Sequence, residues 1–396
     1  MKKLLIGIFV FILSFTSKAF SDGHGIKMGI ILGFTGPIET LTPAMAASAE
    51  LAFKEASDSG SLLGGKYIKA MRGDSTCADS AAGTTAAQGL IDGGVVAIMG
   101  ADCSGVTIAI ADNAAIPNGV VMISPSATSP ALTSINDNGY FFRTAPSDAR
   151  GGEILAKITK DRKVKSVAIT YTNNDYGKGL ADVYESFVKS LGIKVTAVTA
   201  HEEGKADYGA EVATLAAAGG DALAVLGYLD QAGGSIIQGS LDSGAFDTFV
   251  LSDGMYGESL TKRFGKDLNK SFGSRPGSMS KGANIFTDYA KNAGIDSAGP
   301  FTGQSYDAAA LIVLSMQAGG KADRATVQKN VMSVANAPGT KIYPGELKKA
   351  LDLLAKGKAV NYEGATDVEL TDVGEANGSF LEFEVKGGKF VDVKQR

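Results

Sequence analysis

Histidine and cysteine are scarce in this chain, which limits the chemistry that it can perform. The 396 residues include two histidines, two cysteines and no tryptophan. Neither His24, near the N-terminus, nor His201, among acidic residues, belongs to a Cys/His spacing that fits zinc. The sequence also has no Walker phosphate loop and no Gly-x-Ser-x-Gly nucleophile motif. We therefore expect no metal, no cofactor and a protein that is not an enzyme; a pair of carboxylates acting as acid and base stays open, because such pairs are not visible in sequence.

Basic clusters and long apolar runs are also missing. The formal net charge is −4, with 38 basic and 42 acidic residues, and no basic cluster predicts nucleic acid as a partner. One apolar run, Leu4–Phe15, is short for a membrane span of about 20 residues. It follows Lys2 and Lys3 and precedes small residues up to Ser21. This pattern predicts a signal peptide, residues 1–21, and a periplasmic protein; a retained N-terminal anchor is the alternative.

The two cysteines are Cys77 and Cys103. Disulfides form and persist in exported proteins, so export makes a disulfide between these two residues the simplest expectation. Two buried free thiols are the alternative. No other cysteine is available for a different pairing.

Strand-like and helix-like segments alternate along the chain. Ile26–Leu32 is a near-continuous apolar run, which indicates a strand covered on both faces. The alternation restarts after residues 141–146, and a hairpin around Gly387 and Gly388 is predicted near the C-terminus. The expected fold is α/β, with two doubly wound lobes, each a mostly parallel sheet flanked by helices.

Polar residues follow several predicted strands, where open α/β sheets bind ligands. A free amino acid carries a carboxylate and an ammonium group on one carbon. Ser104 and Thr128, with nearby backbone N–H groups, suit the carboxylate. Asp253 suits the ammonium. The alternatives are local: Ser104 and Thr128 as helix caps, Asp253 as a turn residue, and Tyr176 and Tyr228 as core aromatics.

Six short motifs in order give the chain a family resemblance. They are Gly33–Pro37 (GFTGP), Gly100–Gly105 (GADCSG) with the upstream Cys77, Ile123–Pro130 (ISPSATSP), Phe142–Pro146 (FRTAP), Asn174–Ala181 (NDYGKGLA) and Tyr306–Ala308 (YDA). With these motifs the chain resembles the periplasmic binding proteins of branched-chain amino-acid ABC transporters, which have the type I periplasmic binding protein fold. The resemblance extends over nearly the whole chain after residue 21.

The resemblance implies a division into two lobes with a cleft between them. Lobe 1 would contain residues 22–146 and about 278–357, and lobe 2 about 147–277 and 358–396. A hinge of three segments would join the lobes, near Thr144–Ser147, Ser274–Ser278 and Lys356–Val360.

The resemblance also implies a set of ligand-binding residues. Ser104 and Thr128 would hold the carboxylate, with the main chain of Ser126 and neighbouring Ala127 at the head group. Asp253 would take the ammonium. The other implied contacts are Tyr176 and Tyr228 from the second lobe, and Leu41 and Phe301 against the ligand side chain.

Two of these positions depart from the family pattern. Leu41 stands where an aromatic residue often covers the pocket, and Asp102 where an apolar residue is common. An unpaired buried carboxylate is costly. Asp102 is therefore expected to face solvent, to pair with a protein group, or to meet a polar or cationic group of the ligand. The ligand is expected to be an amino acid, branched-chain or related.

The resemblance implies a monomer that captures a small molecule and delivers it to an ABC transporter permease. One alternative is a ligand-sensing protein of the same fold, which binds an amide, urea or other small polar compound and signals to a receptor or regulator. A secreted hydrolase is a further alternative, against which the lack of a nucleophile motif speaks.

Overall fold

A computed structural model describes residues 25–396 of the chain. The predicted signal peptide lies outside these residues. Helices and strands are numbered along the chain, and most of them belong to two separate sheets and the helices that cover them. Within the part of the chain described, no helix is long and apolar enough to cross a membrane.

The first sheet has five parallel strands in the order β2-β1-β3-β4-β5. They are β1 (Ile26–Leu32), β2 (Ile68–Asp74), β3 (Ala97–Gly100), β4 (Val121–Ser124) and β5 (Phe141–Arg143). All residues of β3, β4 and β5 are buried, as expected for parallel strands covered on both faces.

Helices from two distant parts of the chain accompany this first sheet. The early helices are α1 (Thr42–Asp58), α2 (Ser80–Asp92) and α3 (Ser104–Ile110), which continues as a π-turn over Ala111–Ala115. The later helices are α9 (Lys281–Asn292), α10 (Thr302–Gly319), α11 (Arg324–Ala335) and α12 (Leu347–Leu354). The largely buried α10 packs against α1 and α11, so the chain returns to the first lobe after leaving it.

The second sheet has seven strands in the order β14-β13-β10-β9-β8-β6-β7. They are β6 (Ser166–Thr172), β7 (Lys194–His201), β8 (Ala222–Leu226), β9 (Phe249–Leu251), β10 (Phe272–Pro276), β13 (Phe380–Lys386) and β14 (Lys389–Gln395). The helices of this part are α4 (Asp148–Asp161), α5 (Asp175–Ser190), α6 (Gly209–Ala218), α7 (Ala232–Ser243) and α8 (Glu258–Phe264). Two lobes with mostly parallel sheets confirm the predicted fold class.

The C-terminal hairpin completes the second sheet, as predicted. β13 runs antiparallel to β10 and to β14, and β14 is the outermost strand. Val391 and Val393 on β14 are exposed. The sheet therefore ends in an open edge that carries both apolar and charged side chains.

The third connection between the sheets differs from its expected place near 356–360. β12 (Val360–Tyr362) pairs in parallel with β11 (Thr340–Ile342), and both strands contact α12. The chain then reaches β13 of the second sheet through residues 363–379. This path favours residues 363–379, rather than 356–360, as the third segment that passes between the two lobes. The lobe boundaries themselves stay predictions.

Candidate functional site

One cavity brings together most of the predicted ligand-binding residues. It is lined by Ile38, Leu41, Met45, Asp102, Cys103, Ser104, Ser126, Tyr176, Tyr228, Asp253, Gly254 and Phe301. Ser104 and Ser126 follow strands of the first sheet, whereas Tyr176, Tyr228 and Asp253 follow strands of the second. The cavity thus lies between the carboxyl ends of both sheets, where α/β folds bind ligands.

Ser104 begins α3, directly after Cys103. Its Oγ accepts a hydrogen bond from the Ser129 N–H at 3.1 Å. Because the hydroxyl acts as acceptor in this contact, its proton stays available to a group in the cavity. The side chain is 1% exposed, so a hydrogen bond to a carboxylate there would be shielded from water.

Ala127 and Thr128 belong to the same loop but are not among the cavity walls. Both are fully buried. The Ala127 carbonyl accepts a hydrogen bond from Arg143, and the Thr128 hydroxyl lies near the buried Asp148 carboxyl, where it opposes the rise in the pKa of Asp148. Their predicted ligand contacts stay predictions.

Asp253 forms the opposite, acidic wall. The Tyr176 phenol donates a hydrogen bond to its Oδ1, and the Gly254 N–H donates to the same oxygen at 3.0 Å. Burial raises the pKa of the Asp253 carboxyl. Tyr176 stacks on Tyr228 with ring centroids 5.2 Å apart, which fixes both rings at the cavity.

Asp148 is a second buried carboxylate near Asp253, which the sequence analysis missed. It is the first residue of α4 and is 3% exposed. Burial, and then the negative charge of Asp253, raise the pKa of Asp148 well above its usual range. Its Oδ2 has no hydrogen-bond partner among residues 25–396. Asp148 follows the short strand β5, and this position could have marked it as a candidate. The sequence analysis did not predict β5 and therefore did not find Asp148.

Asp102 is engaged by protein donors. Its carboxylate accepts hydrogen bonds from the Gly33 N–H at 2.6 Å, the Ser75 hydroxyl at 2.9 Å and the Cys103 N–H at 2.9 Å. The residue is 2% exposed, so the solvent-facing alternative is wrong. Burial still raises the pKa of Asp102. Pairing with protein groups explains how a carboxylate is tolerated at the cavity wall.

The predicted disulfide between Cys77 and Cys103 is present. Cys103 immediately precedes Ser104 and is held by the disulfide as well as by its backbone contact to Asp102. The disulfide, and the hydrogen bond that the Ser75 hydroxyl donates to Asp102, join the start of α3 to the segment after β2. They restrain the position of Ser104 in the cavity wall.

The two lobes touch on both sides of the cavity. On one side, the Asp230 carboxylate of the second lobe accepts hydrogen bonds from the Thr40 N–H at 3.0 Å and the Thr40 hydroxyl at 2.8 Å. On the other side, the Ser129 hydroxyl donates to the Asp175 carbonyl at 2.8 Å. The structure therefore shows the lobes closed over the cavity.

Comparison with known proteins agrees with this architecture. The sequence profile of the periplasmic binding protein family matches residues 25–344. The chain is 29% identical over 251 residues to Leu/Ile/Val-binding protein homolog 3 of Brucella melitensis, covering 63% of this chain and 66% of that protein. It is 28% identical over 360 residues to BasB, a chemotactic signal transduction system substrate-binding protein of Halobacterium salinarum, covering 88% and 84% respectively.

A solved structure shows the same fold. The branched-chain amino acid transporter substrate-binding protein LivJ of Streptococcus pneumoniae, in complex with isoleucine, superposes with a TM-score of 0.75. The alignment has 22% sequence identity and covers 93% of this chain and 99% of that one.

A two-lobed α/β fold with a ligand-sized cavity between the carboxyl ends of its sheets defines a class of proteins that close around a small solute. The chain belongs to the periplasmic binding protein family. Membership in a family of binding proteins confirms the prediction that it is not an enzyme.

Proposed function

We propose that the protein binds an L-amino acid, branched-chain or related, in this cavity and delivers it to the permease of an ABC transporter. The observation that carries the proposal is the opposed chemistry of the two walls. The Ser104 hydroxyl, whose hydrogen is not used in a hydrogen bond to the described part of the protein, lies on one wall, and the Asp253 carboxylate lies on the other. No Lys or Arg side chain is among the lining residues.

Each end of a zwitterion finds a matching group in this arrangement. The carboxylate would accept hydrogen bonds from the Ser104 hydroxyl and from the Thr128 N–H, with the main chain of Ser126 and Ala127 beside it. The ammonium would donate to Asp253, near which lies the Asp148 carboxyl, whose pKa burial and the Asp253 charge raise well above its usual range. Charge-assisted hydrogen bonds of this kind contribute about 1.5–3 kcal/mol each.

The remaining walls suit an apolar side chain. Ile38, Leu41, Met45 and Phe301 contribute aliphatic and aromatic surface, with the rings of Tyr176 and Tyr228 next to them. Asp102 would meet a polar ligand group only in addition to its three protein donors. Branched-chain amino acids therefore fit this surface, and related amino acids with a small polar group remain candidates.

The binding step would be closure of two lobes on the ligand. Ser104 and Asp253 lie in different lobes, so the ligand stabilises the closed form only when it contacts both. The three connections near residues 144–147, 274–278 and 363–379 would absorb the change in backbone angles. The closed form would then dock on the permease as an exported monomer, after cleavage behind Ser21.

A thermal-shift screen of L-amino acids and small amides tests the ligand class. A ligand at one hundred times its dissociation constant stabilises the folded protein by about 2.7 kcal/mol, so a true ligand stands out. Stabilisation by isoleucine, leucine or valine supports the proposal. Stabilisation only by an amide or by urea contradicts it. Uptake of the labelled ligand by cells with and without the protein tests delivery.

A sensing role is the second candidate, and one observation favours it. The relative BasB, which aligns with 88% of this chain, is a substrate-binding protein of a chemotactic signalling system. Cells that lose chemotaxis towards the ligand, but keep its uptake, when this protein is deleted would identify a sensor. The opposite pattern would identify a transporter subunit.

A further inference from the structure

Arg143 ends β5 and lies entirely inside the protein, with 1% of its surface exposed. It does not line the cavity. One guanidinium nitrogen, Nη1, donates to the carbonyls of Ala127 at 3.0 Å and Ser129 at 2.9 Å. Both acceptors belong to the loop that contains Thr128. The guanidinium thus holds this loop from the side of the sheet.

The second nitrogen, Nη2, reaches a different part of the chain. It donates to the Glu375 carboxylate at 2.5 Å and to the Thr133 hydroxyl at 3.0 Å. The Arg143 backbone is joined to the same segment, because its N–H donates to Gly374 and its carbonyl accepts from Ala376. One residue therefore connects the loop with the segment 363–379 that leads back to the second lobe.

The carbonyl contact also determines where the next N–H points. The Ala127 carbonyl and the Thr128 N–H belong to one planar trans peptide unit and point in opposite directions. When Arg143 holds the carbonyl, the Thr128 N–H is directed away from the guanidinium. No hydrogen bond joins this N–H to any residue in the described part of the chain. An oriented, unused donor next to Ser104 is suited to a carboxylate.

We propose that Arg143 is a positioning residue for ligand recognition, which directs the Thr128 N–H at the carboxylate of the bound amino acid through its bonds to Ala127 and Ser129. This inference rests on the proposed function. Arginine suits the task because its planar fork spans two chain segments at once, whereas the single ammonium of lysine cannot do so with the same geometry.

The test compares two ligands in three proteins. L-isoleucine and L-isoleucinamide differ at the carboxylate alone. The dissociation constant of the amide divided by that of L-isoleucine therefore reports on the carboxylate contact. We expect Arg143→Met to reduce this ratio at least tenfold, mainly by weakening L-isoleucine. Arg150→Met is the matched control, because Arg150 also clamps two carbonyls, those of Asn377 and Gly378, without touching the loop. It should leave the ratio within twofold of wild type.

An unchanged ratio in Arg143→Met, together with a lower melting temperature, would show that Arg143 is only a stabilising group and would overturn the proposal. If Arg143→Met does not fold, Arg143→Lys replaces it, with the same expected loss of discrimination. Intact discrimination in the lysine variant likewise overturns the proposal.

Hydrogen–deuterium exchange of the ligand-free protein separates this inference from the proposed function. If wild type binds neither compound, amino-acid binding as proposed here fails. The positioning role is then decided by exchange in a peptide that covers residues 126–134. Faster exchange there in the Arg143 variant than in Arg150→Met supports the role, and equal exchange in both variants refutes it.

Discussion

The Tyr176 phenol donates a hydrogen bond to the Asp253 carboxylate inside the second lobe. Together with the Gly254 N–H, it engages Oδ1, while no described residue donates to Oδ2. Asp253 therefore presents one oxygen that the protein has fixed in place and one that is open to a ligand. This asymmetry underlies the first two predictions.

Replacing Asp253 by alanine should weaken amino-acid binding by 2 kcal/mol or more. The variant leaves the ligand ammonium buried without its charged partner, and such losses cost about 2–5 kcal/mol. Isothermal titration calorimetry with L-isoleucine measures the change. Asp242→Ala is the control, since this exposed carboxylate on α7 accepts a hydrogen bond from Gln238 of the same helix. Near-wild-type affinity in Asp253→Ala would refute the assignment.

Affinity should decrease as the pH falls below neutrality. Burial raises the pKa of Asp253, and burial with the Asp253 charge raises that of Asp148. The ammonium needs ionised carboxylates, so protonation competes with binding. The loss approaches tenfold per pH unit below the raised pKa. Titrations between about pH 7.5 and about pH 5 measure it. In Asp253→Asn the affinity should be lower and its pH dependence shallower; an equally steep profile would mean that another group titrates.

Removing Asp230 should weaken binding without any loss of a ligand contact. Its carboxylate accepts two hydrogen bonds from Thr40 and one from Ser259, and the Thr40 contacts exist only when the lobes are closed. Asp230→Ala should shift the population to the open form and reduce affinity by about 1 kcal/mol, roughly fivefold. Small-angle X-ray scattering of the ligand-free variant should show a larger radius of gyration. An unchanged affinity and radius would rule out a role in closure.

Removing the disulfide should lower the free energy of unfolding by about 3.5 kcal/mol, since the bond closes a loop with a sequence separation of 26 residues. The double variant Cys77→Ala with Cys103→Ala is compared with wild type by urea denaturation under non-reducing conditions. Wild type with added reductant is the matched control and should approach the double variant. A difference below about 1 kcal/mol would show that the Asp102 contacts hold this region unaided.

Stability should also depend on His201. Burial lowers the pKa of His201 to about 4. The unfolded chain therefore binds a proton between about pH 6.5 and 4 that the folded protein does not. This contribution to stability is present above about pH 6.5 and is lost as the pH falls towards 4. The Glu203 Oε1 lies 3.8 Å from the His201 Nε2. Burial raises the pKa of Glu203 to about 7, so protonation of Glu203 favours the folded protein as the pH falls and opposes the effect of His201.

Comparing wild type with His201→Gln isolates the histidine contribution. Between pH 6.5 and pH 5 the wild type should lose about 2 kcal/mol relative to the variant. Urea denaturation at both pH values measures this difference. Parallel losses in the two proteins would show that His201 does not titrate as expected.

The apolar pattern of the chain was enough to predict much of the fold. The strand Ile26–Leu32 was predicted with its observed bounds, because its apolar run is nearly continuous. The three-residue strand β5 was missed because it is too short for a periodic signal. β10 was missed as well, and it contains Arg275 and Pro276, which are unusual inside a strand.

The candidate site was predictable where a residue follows a recognisable strand. Ser104, Tyr228 and Asp253 were found in this way, and all three line the cavity. Asp148 was not found, because its significance comes from the charge of Asp253, which is distant in sequence. The protein donors to Asp102 were equally hidden, since Gly33 and Ser75 approach it only in the folded chain.

The outermost strand β14 bears on how many copies of the protein associate. A free strand edge offers unpaired backbone groups to a neighbouring molecule, and exposed valines such as Val391 and Val393 would strengthen such pairing. Asp392 and Lys394 alternate with these valines. Hydrated charges on an edge strand oppose its pairing with another copy, so we expect the chain to remain a monomer.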